Sequence, residues 1–477
     1  MSRTPEQVAD VAAAAAPYLE SWLEHQRRRQ RVPGVQAAIR VGDRLVLDTA
    51  LGQADATTGE PLTGRHLFRI ASHSKTFTAT AVLQLVEAGR MRLDDPIGRW
   101  VPELADRAPA AAAVTVRELL GHQAGVVRDG ADTDYWQLLH PFPDAAALLD
   151  IVAAPGGLTF GRNEHFKYSN IGYSLLGLAI EAASGRPYNT FVQQEVVERL
   201  GLADTGPELD PAREAEYAAG HTGLFDGETT RLRVDHVDTR AMAAATGFYS
   251  TARDLTSYGA AHFTGDPTLL TDESKRLMRR PESEVSAHGR PARRYGLGLD
   301  LDTVGDRKLV GHSGGYPGHI TRTWIDPEAQ VVVSVLTNSI DGPADSLARG
   351  LLALLDLALD APERDEDTPD PASLSRWTGR WADLWGPADV ALLGGRLVML
   401  HPNAPAPAEE WLELTVEDDR TLRYESVAGF ASAGETVEYE WGPDGTATSI
   451  RAGGMTMWPT EAFLAGRARQ VAPGSAG

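Results

Sequence analysis

Arg69-Ile70-Ala71-Ser72-His73-Ser74-Lys75-Thr76-Phe77-Thr78-Ala79-Thr80-Ala81-Val82-Leu83-Gln84 holds a serine and a lysine three residues apart. From Ser72 to about Glu87 the apolar pattern is helical, and Gly89 supplies a stop. Ser72 and Lys75 then sit one turn apart on one face. The Ser72 amide lies at the positive end of the helix, where an oxyanion would be stabilised. A serine hydroxyl is a weak nucleophile and needs an adjacent base. A buried lysine can lose its proton and serve as that base. An N-capping serine beside a surface lysine would leave the same letters. The chain has 45 basic residues, and only Lys75, Lys167, Lys275 and Lys308 are lysine. Arginine cannot be deprotonated, so a lysine at this spacing carries weight.

Two further stretches hold reactive residue types. FKYSNIGYS contains Tyr168-Ser169-Asn170. A tyrosine can relay a proton to a leaving group, and an asparagine amide can hold a substrate carbonyl. A loop tyrosine before a helix capped by Ser169 or Asn170 is the plainer alternative. KLVGHSGGYPGH contains His312-Ser313-Gly314 at the end of a strand, where small residues let a substrate backbone approach. Gly311 to Gly315 also fits G-x-S-x-G, a nucleophile elbow that requires a helix next. Tyr316, Pro317, Gly318 and another strand follow instead, which argues against the elbow.

Working outward, Val32 to Gly52 reads as a hairpin turning at Gly42-Asp43. Thr115 to about Leu277 is mostly helix and loop. Strands return between Arg293 and Asn338, and a helix follows from about Ala344 to Leu359. The expected fold is α/β: an antiparallel sheet from both ends of this segment, covered by terminal helices, with a mostly helical insertion. Asp360 to Ser373 is acidic and proline-bearing and reads as a linker. The short strands after it suggest a small all-β barrel or sandwich. The expected domains are 1–360, a linker at 361–373, a β-domain at 374–466 and a frayed tail at 467–477. Trp385, Trp411, Trp441 and Trp458 read as barrel core rather than a ligand cage.

Composition excludes several classes. The 477 residues carry a formal charge of −21 and no cysteine. There are thus no disulfides, thiolate zinc site or cysteine nucleophile. An acidic chain is a poor partner for nucleic acid. No apolar run approaches the ~18 residues of a membrane span, and Glu6 and Asp10 precede a weakly apolar stretch, unlike a secretory signal. Pro5 to about Arg28 reads as an amphipathic helix ending in Arg27, Arg28, Arg29 and Arg31, cations that suit its C-terminal dipole. A cytoplasmic location, no membrane partner, no metal and no cofactor are expected. His236, near Asp235 and Asp238, reads as a surface loop.

Ser72-x-x-Lys75, Tyr168-x-Asn170 and His312-x-Gly314, in that order, resemble the serine β-lactamase and penicillin-binding-protein superfamily, closest to its class C β-lactamase-like branch. Thr115 to Val126 and Ala245 to Leu255 resemble that branch too, and the likeness spans about Val32 to Leu359. It implies a β-lactamase-like fold and an acyl-serine mechanism. Ser72 would be the nucleophile. Lys75 and Tyr168 would share general-base and general-acid work, and Asn170 would hold the substrate amide. The amides of Ser72 and Gly315 would form the oxyanion hole, with Gly314 lining the substrate. The family's third motif begins with lysine. His312 stands there instead, to assist proton transfer or hold a carboxylate, which makes strong β-lactam hydrolysis less expected.

Leu374-x-x-Trp377-x-Gly379-x-Trp381 resembles the opening of lipocalin-like β-domains appended to some D-aminopeptidases, esterases and peptide cyclases. Arg451, before Gly453-Gly454, is a candidate partner for a substrate carboxylate or simply an exposed strand arginine. The layout is similar to that of stand-alone penicillin-binding-protein-type thioesterases, which cyclise nonribosomal peptides. The resemblance implies a peptide substrate, delivered as a thioester by a peptidyl carrier protein and closed head to tail. A cytoplasmic D-aminopeptidase, D-amino-acid amidase or esterase is the alternative within the family. An acylated sensor or inactive scaffold is the non-enzymatic one.

Overall fold

The computed structural model describes residues 4–285, 293–362, 370–404, 406–425 and 432–470. Packing divides the chain into two compact units, Gln30–Ala348 and the pair of segments Met1–Arg29 and Arg349–Gly477. The expected 1–360 boundary thus differs from the packing division at both ends. The centre of the expected linker, 363–369, lies outside the described residues, as does 471–477 of the expected tail.

The first unit is built on a nine-stranded sheet. The expected hairpin forms as β1 (Gly34–Val41) and β2 (Arg44–Asp55), turning through Gly42 at φ +57°. A short β3 (Glu60–Pro61) follows. The late strands are β4 (Ser283–Val285), β5 (Arg293–Tyr295), β6 (Asp300–Val304), β7 (Arg307–Tyr316), β8 (His319–Asp326) and β9 (Val331–Thr337). The sheet order is β3-β2-β1-β9-β8-β7-β6-β5-β4. Neighbouring strands are antiparallel, and β1 meets β9 from Val35↔Thr337 to Val41↔Val331. The two ends of the segment therefore join at the centre of the sheet, and the mostly helical middle is an insertion between β3 and β4. Every residue of β9, VVVSVLT, is buried, as a near-continuous apolar run implies for a strand covered on both faces.

The core lies between this sheet and the inserted helices. Helix Ala252–Ala260 crosses β1, β8 and β9. It comes so close that a Cβ at Gly259 would lie 2.7 Å from Val332 Cγ1. Helix Ser74–Glu87 packs against helix Asn170–Ser184. Eleven of its fourteen residues are buried, including Thr76, Thr78 and Thr80. Those hydroxyls find partners: Thr78 donates to the Ala244 carbonyl at 2.7 Å, and Thr80 meets the Tyr258 hydroxyl at 3.1 Å. A helix buried all round must satisfy its polar groups in this way. Gly311 to Gly315 lies inside β7 and leads to another strand, so no nucleophile elbow forms at Ser313.

The second unit holds a closed eight-stranded barrel with strands paired in chain order, from Gly379–Asp383 to Met455–Pro459. Trp381↔Pro459 and Ala382↔Trp458 close the ring. Two glycine pairs make its tight turns. Gly394 and Gly395 take φ +61° and +84°, and Gly453 and Gly454 take +54° and +75°, a region costly for side chains with a Cβ. The N-terminal helix runs Pro5–Arg29 and packs against strand Gly386–Leu393. Tyr18 donates to Asp389 at 3.0 Å, and Arg380 clamps the same carboxylate at 2.7 and 2.8 Å. A helix Thr460–Gln470, not anticipated from sequence, closes the described chain. The tryptophans divide. Trp377 and Trp381 are barrel core and Trp441 packs on it, but Trp385 is 87% exposed. Among the described residues no helix is long and apolar enough to cross a membrane.

Candidate active site

Ser72 sits in a 3-10 turn, Ala71–His73, immediately before helix Ser74–Glu87. The turn is forced into place. Ala71 takes φ +45°, a left-handed conformation that strains a residue with a Cβ. Ser74 Oγ holds it by donating to the Ala71 carbonyl at 2.6 Å and accepting from the Phe248 amide at 3.1 Å. The Ile70 amide donates to the Phe248 carbonyl at 2.9 Å. The strained turn therefore presents Ser72, half-buried, at the positive end of a rigid and deeply buried helix.

Lys75 is fully buried on the first turn of that helix. Its Nζ donates to Ser72 Oγ at 3.1 Å, to Asn170 Oδ1 at 2.7 Å and to the Ala245 carbonyl at 2.9 Å. Loss of hydration lowers its pKa from 10.5 to about 7, against the pull of the Asp129 carboxylate. Burial thus brings the neutral amine, able to accept a proton from the serine hydroxyl, within reach near neutral pH. Tyr168 stands on the other side. Burial holds its pKa well above the usual phenol value, against a smaller opposing effect of the Ser72 side chain. Lys75 Nζ lies 4.8 Å from the Tyr168 ring centroid. The pair divides by protonation state: one amine able to accept a proton, one phenol able to donate.

Asn170 opens helix Asn170–Ser184, which Ser169 caps by accepting from the Gly172 amide at 2.8 Å. Its amide is already engaged on both sides. Oδ1 accepts from Lys75, and Nδ2 donates to Asp129 Oδ1 at 2.7 Å. Asn170 thereby links the base to a buried carboxylate that also takes the Trp136 indole at 3.2 Å and Arg128 Nε at 2.9 Å.

His312 lies on β7 and is buried. A carbonyl can only accept, so Nδ1–H donates to the Ser313 carbonyl at 2.6 Å. Nε2 then accepts from the Tyr295 hydroxyl at 3.1 Å. Burial lowers its pKa to about 4, and the nearby Lys75 charge adds to that. His312 is a neutral, doubly bonded ring rather than a cation. Beyond it the strand edge opens. β6 covers β7 only as far as Asp300↔Gly311, whereas β8 continues to Tyr316↔His319. The edge from His312 to Tyr316 runs past the Ser72 turn. Gly314 permits this approach, since a Cβ there would lie 2.1 Å from the Ile70 carbonyl oxygen. Gly315 is exposed, and a Cβ there would meet only Ile320 Cδ1 at 3.6 Å.

The beta-lactamase family model matches residues 19–358. The chain belongs to that family. Penicillin-binding protein 4* of Bacillus subtilis is 28% identical over 385 residues, 76% of this chain and 82% of the relative. Among solved structures, SurE with D-Leu superposes with a TM-score of 0.56 at 26% identity, covering 94% of this chain and 99% of that one. The D-amino acid amidase of Ochrobactrum anthropi SV3 complexed with D-phenylalanine gives 0.57 at 29%, covering 68% and 91%. As a beta-lactamase-family member, the protein is a serine hydrolase-type enzyme.

Ser72, Lys75, Tyr168, Asn170, His312, Gly314 and Gly315 all fall in the first unit and converge on one place. Arg451 belongs to the barrel unit, exposed on strand Ala447–Ala452 opposite Glu438. Sequence reasoning missed three residues of this family site. Asp129 has no motif around it. His122 lies inside the quoted Thr115–Val126 stretch, buried at φ +57° with its ring 4.3 Å from that of Tyr168. Its Nδ1 accepts from the Ser169 amide at 3.2 Å, fixing the loop that carries Tyr168. Tyr295, which satisfies His312, lay in an unremarkable strand.

Proposed function

We propose that this enzyme takes an acyl group ending in a D-residue onto Ser72 and passes it to the amine of the same peptide, closing a ring. The acyl group would arrive as a thioester on a peptidyl carrier protein. In the first step neutral Lys75 accepts the Ser72 proton as Oγ attacks the carbonyl carbon. The amides of Ser72 and Gly315 stabilise the tetrahedral oxyanion. Protonated Lys75 then returns its proton through the Tyr168 phenol to the departing thiolate, so both groups end as they began. In the second step Lys75 accepts a proton from the attacking amine and passes it to Ser72 Oγ as the C–O bond to Ser72 breaks.

The single observation that carries acyl transfer is the buried Lys75 amine, with a pKa of about 7, 3.1 Å from Ser72 Oγ. The neutral state of His312 bears on substrate. Where the family's lysine would hold a free carboxylate, this site offers an uncharged ring. That disfavours carboxypeptidase and β-lactam substrates and favours a carbonyl already bound as thioester, ester or amide. Ring closure rather than hydrolysis rests on the sequence resemblance to stand-alone penicillin-binding-protein-type thioesterases; the two-part layout, shared with SurE over nearly the whole of both chains, serves either outcome. D-Leu in the SurE structure and the amidase's description as a D-amino acid amidase support a D-residue.

Intact-mass spectrometry with a peptidyl thioester mimic, ending in a D-residue and bearing a free amine, tests the reading. A transient adduct absent from Ser72→Ala is expected, followed by cyclic product. A product heavier by one water would make the enzyme a D-specific hydrolase. An adduct that never leaves would make it a sensor.

A further inference from the structure

The steps of acyl transfer leave one charged group beside Tyr168 without a task. Arg128 directly precedes Asp129, in the same unit as Ser72. Its carbonyl accepts from the Asn170 and Ile171 amides at 2.9 and 3.2 Å, so its backbone is pinned to the start of helix Asn170–Ser184. Its Nε donates to Asp129 Oδ2 at 2.9 Å. Its guanidinium carbon stands 5.4 Å from the Tyr168 ring centroid, within the reach of a cation–π contact. Backbone, Nε and guanidinium are thus all held. The side chain is nevertheless 63% exposed, and Nη1 and Nη2 make no hydrogen bond among the described residues.

The cations whose charge acts on Lys75, Tyr168 or His312 are Arg128, Arg322 and Lys75 itself. Lys75 is fully buried and gives its donors to Ser72, Asn170 and the Ala245 carbonyl. Arg322 is buried and divided between Asp300 and Asp345, each at 2.7 Å. Of the three, Arg128 alone keeps free donors among the described residues. A guanidinium tied through Nε presents its Nη1–Nη2 edge, which matches the two oxygens of a carboxylate. Because the group is already held in place, a ligand that engages it costs little side-chain freedom. The α-carboxyl of an acyl donor is consumed in the thioester, so a carboxylate that reaches Arg128 belongs to a side chain.

We propose that Arg128 is a specificity residue, which takes a carboxylate on the side chain of the D-residue joined to Ser72. The assignment rests on acyl transfer at Ser72 and names its substrate class, an acyl donor with an acidic terminal residue. Two peptidyl thioesters of one neutral thiol test it, ending in D-Glu or D-Gln and otherwise identical. Thiol release is followed against an enzyme-free blank at about pH 8, where Lys75 is mostly neutral. Wild-type kcat/KM is expected to be about tenfold higher for D-Glu, the gain from one charge-assisted pair. Rising KCl narrows that ratio, because the pair is exposed. Arg128→Gln brings the ratio to about one, and Arg128→Glu inverts it. A merely structural Arg128 would slow both substrates alike, so a ratio that survives in Arg128→Gln overturns the assignment. So does equal release from both thioesters by the wild type, or a ratio indifferent to KCl, even if the variants misfold. Release from neither thioester, with no adduct on Ser72, overturns acyl transfer itself and this role with it.

Discussion

Lys75 makes the site testable through pH. The amine must be neutral to act, and its pKa is lowered to about 7 by burial. kcat/KM is therefore expected to rise tenfold per pH unit below about 7 and to level off above it. Tyr168, held above its usual range, keeps its proton across that span and adds no alkaline limb near neutrality. A profile flat from pH 5 to 8 would remove Lys75 as the base. Lys75→Arg keeps a charge that cannot be given up, so adduct formation should all but vanish. Asp129 acts one step further out, by orienting Asn170 against Lys75. Asp129→Ala should lower kcat by roughly a hundredfold, the cost of a misplaced catalytic group, with little change in KM. The serine and lysine were legible from spacing. Asp129 was not, because it reaches the site through a loop contact that no local pattern encodes.

At the scale of elements, the approach of β7 to the nucleophile turn is the critical contact. Gly314→Ala would drive a Cβ into the Ile70 carbonyl, 2.1 Å away. It should destabilise by about 1–3 kcal/mol and displace Ser72, seen as a lowered Tm together with lost acylation. Gly315→Ala, next in the chain, points into open space and should leave Tm within a degree or two. Equal effects of the two changes would contradict this packing. The strands themselves were readable from alternating patterns, as was the helix beginning at the motif. Their order in the sheet was not. Only pairing shows that β6 stops at Gly311 and leaves the edge from His312 onward beside Ser72. The different places of Trp385 and Trp441 were equally hidden, since the two look alike in a list of tryptophans.

The whole molecule carries two further consequences. His221, His262, His312 and His319 are buried, and burial lowers the pKa of each, to about 3 for His262 and about 4 for His312. The unfolded chain binds more protons than the folded one once pH drops below about 6.5. Stability is therefore complete above that pH and is lost as pH falls toward 4, by roughly 1.4 kcal/mol per histidine per unit. Chemical denaturation at pH 7 and pH 5 should show it as a lower midpoint at pH 5. Net charge bears on the carrier. Under the proposed delivery by a carrier protein, a charge of −21 would repel an acidic carrier at long range, so docking would need a local basic patch. Arg27 and Arg28 both bond to Glu24, which leaves Arg29 and Arg31 as the stronger candidates. Arg29→Glu with Arg31→Glu should raise KM for a carrier-borne substrate and not for a small thioester. Equal KM values for the two would place docking elsewhere.

The sequence by itself pointed to the reaction class, because Ser72-x-x-Lys75, Tyr168-x-Asn170 and His312-x-Gly314 in that order resemble one superfamily, whereas the spacing of each motif alone also fits a plainer reading. It also determined the two-part layout, written in periodicity and in the acidic stretch between. Tertiary structure alone decided the protonation states. Lys75 can be deprotonated near neutral pH and His312 is no cation there because burial removes water from both, and burial is a property of the folded core. It alone decided which glycine is indispensable and which tryptophan stands in solvent, because those depend on atoms brought together from distant positions in the chain.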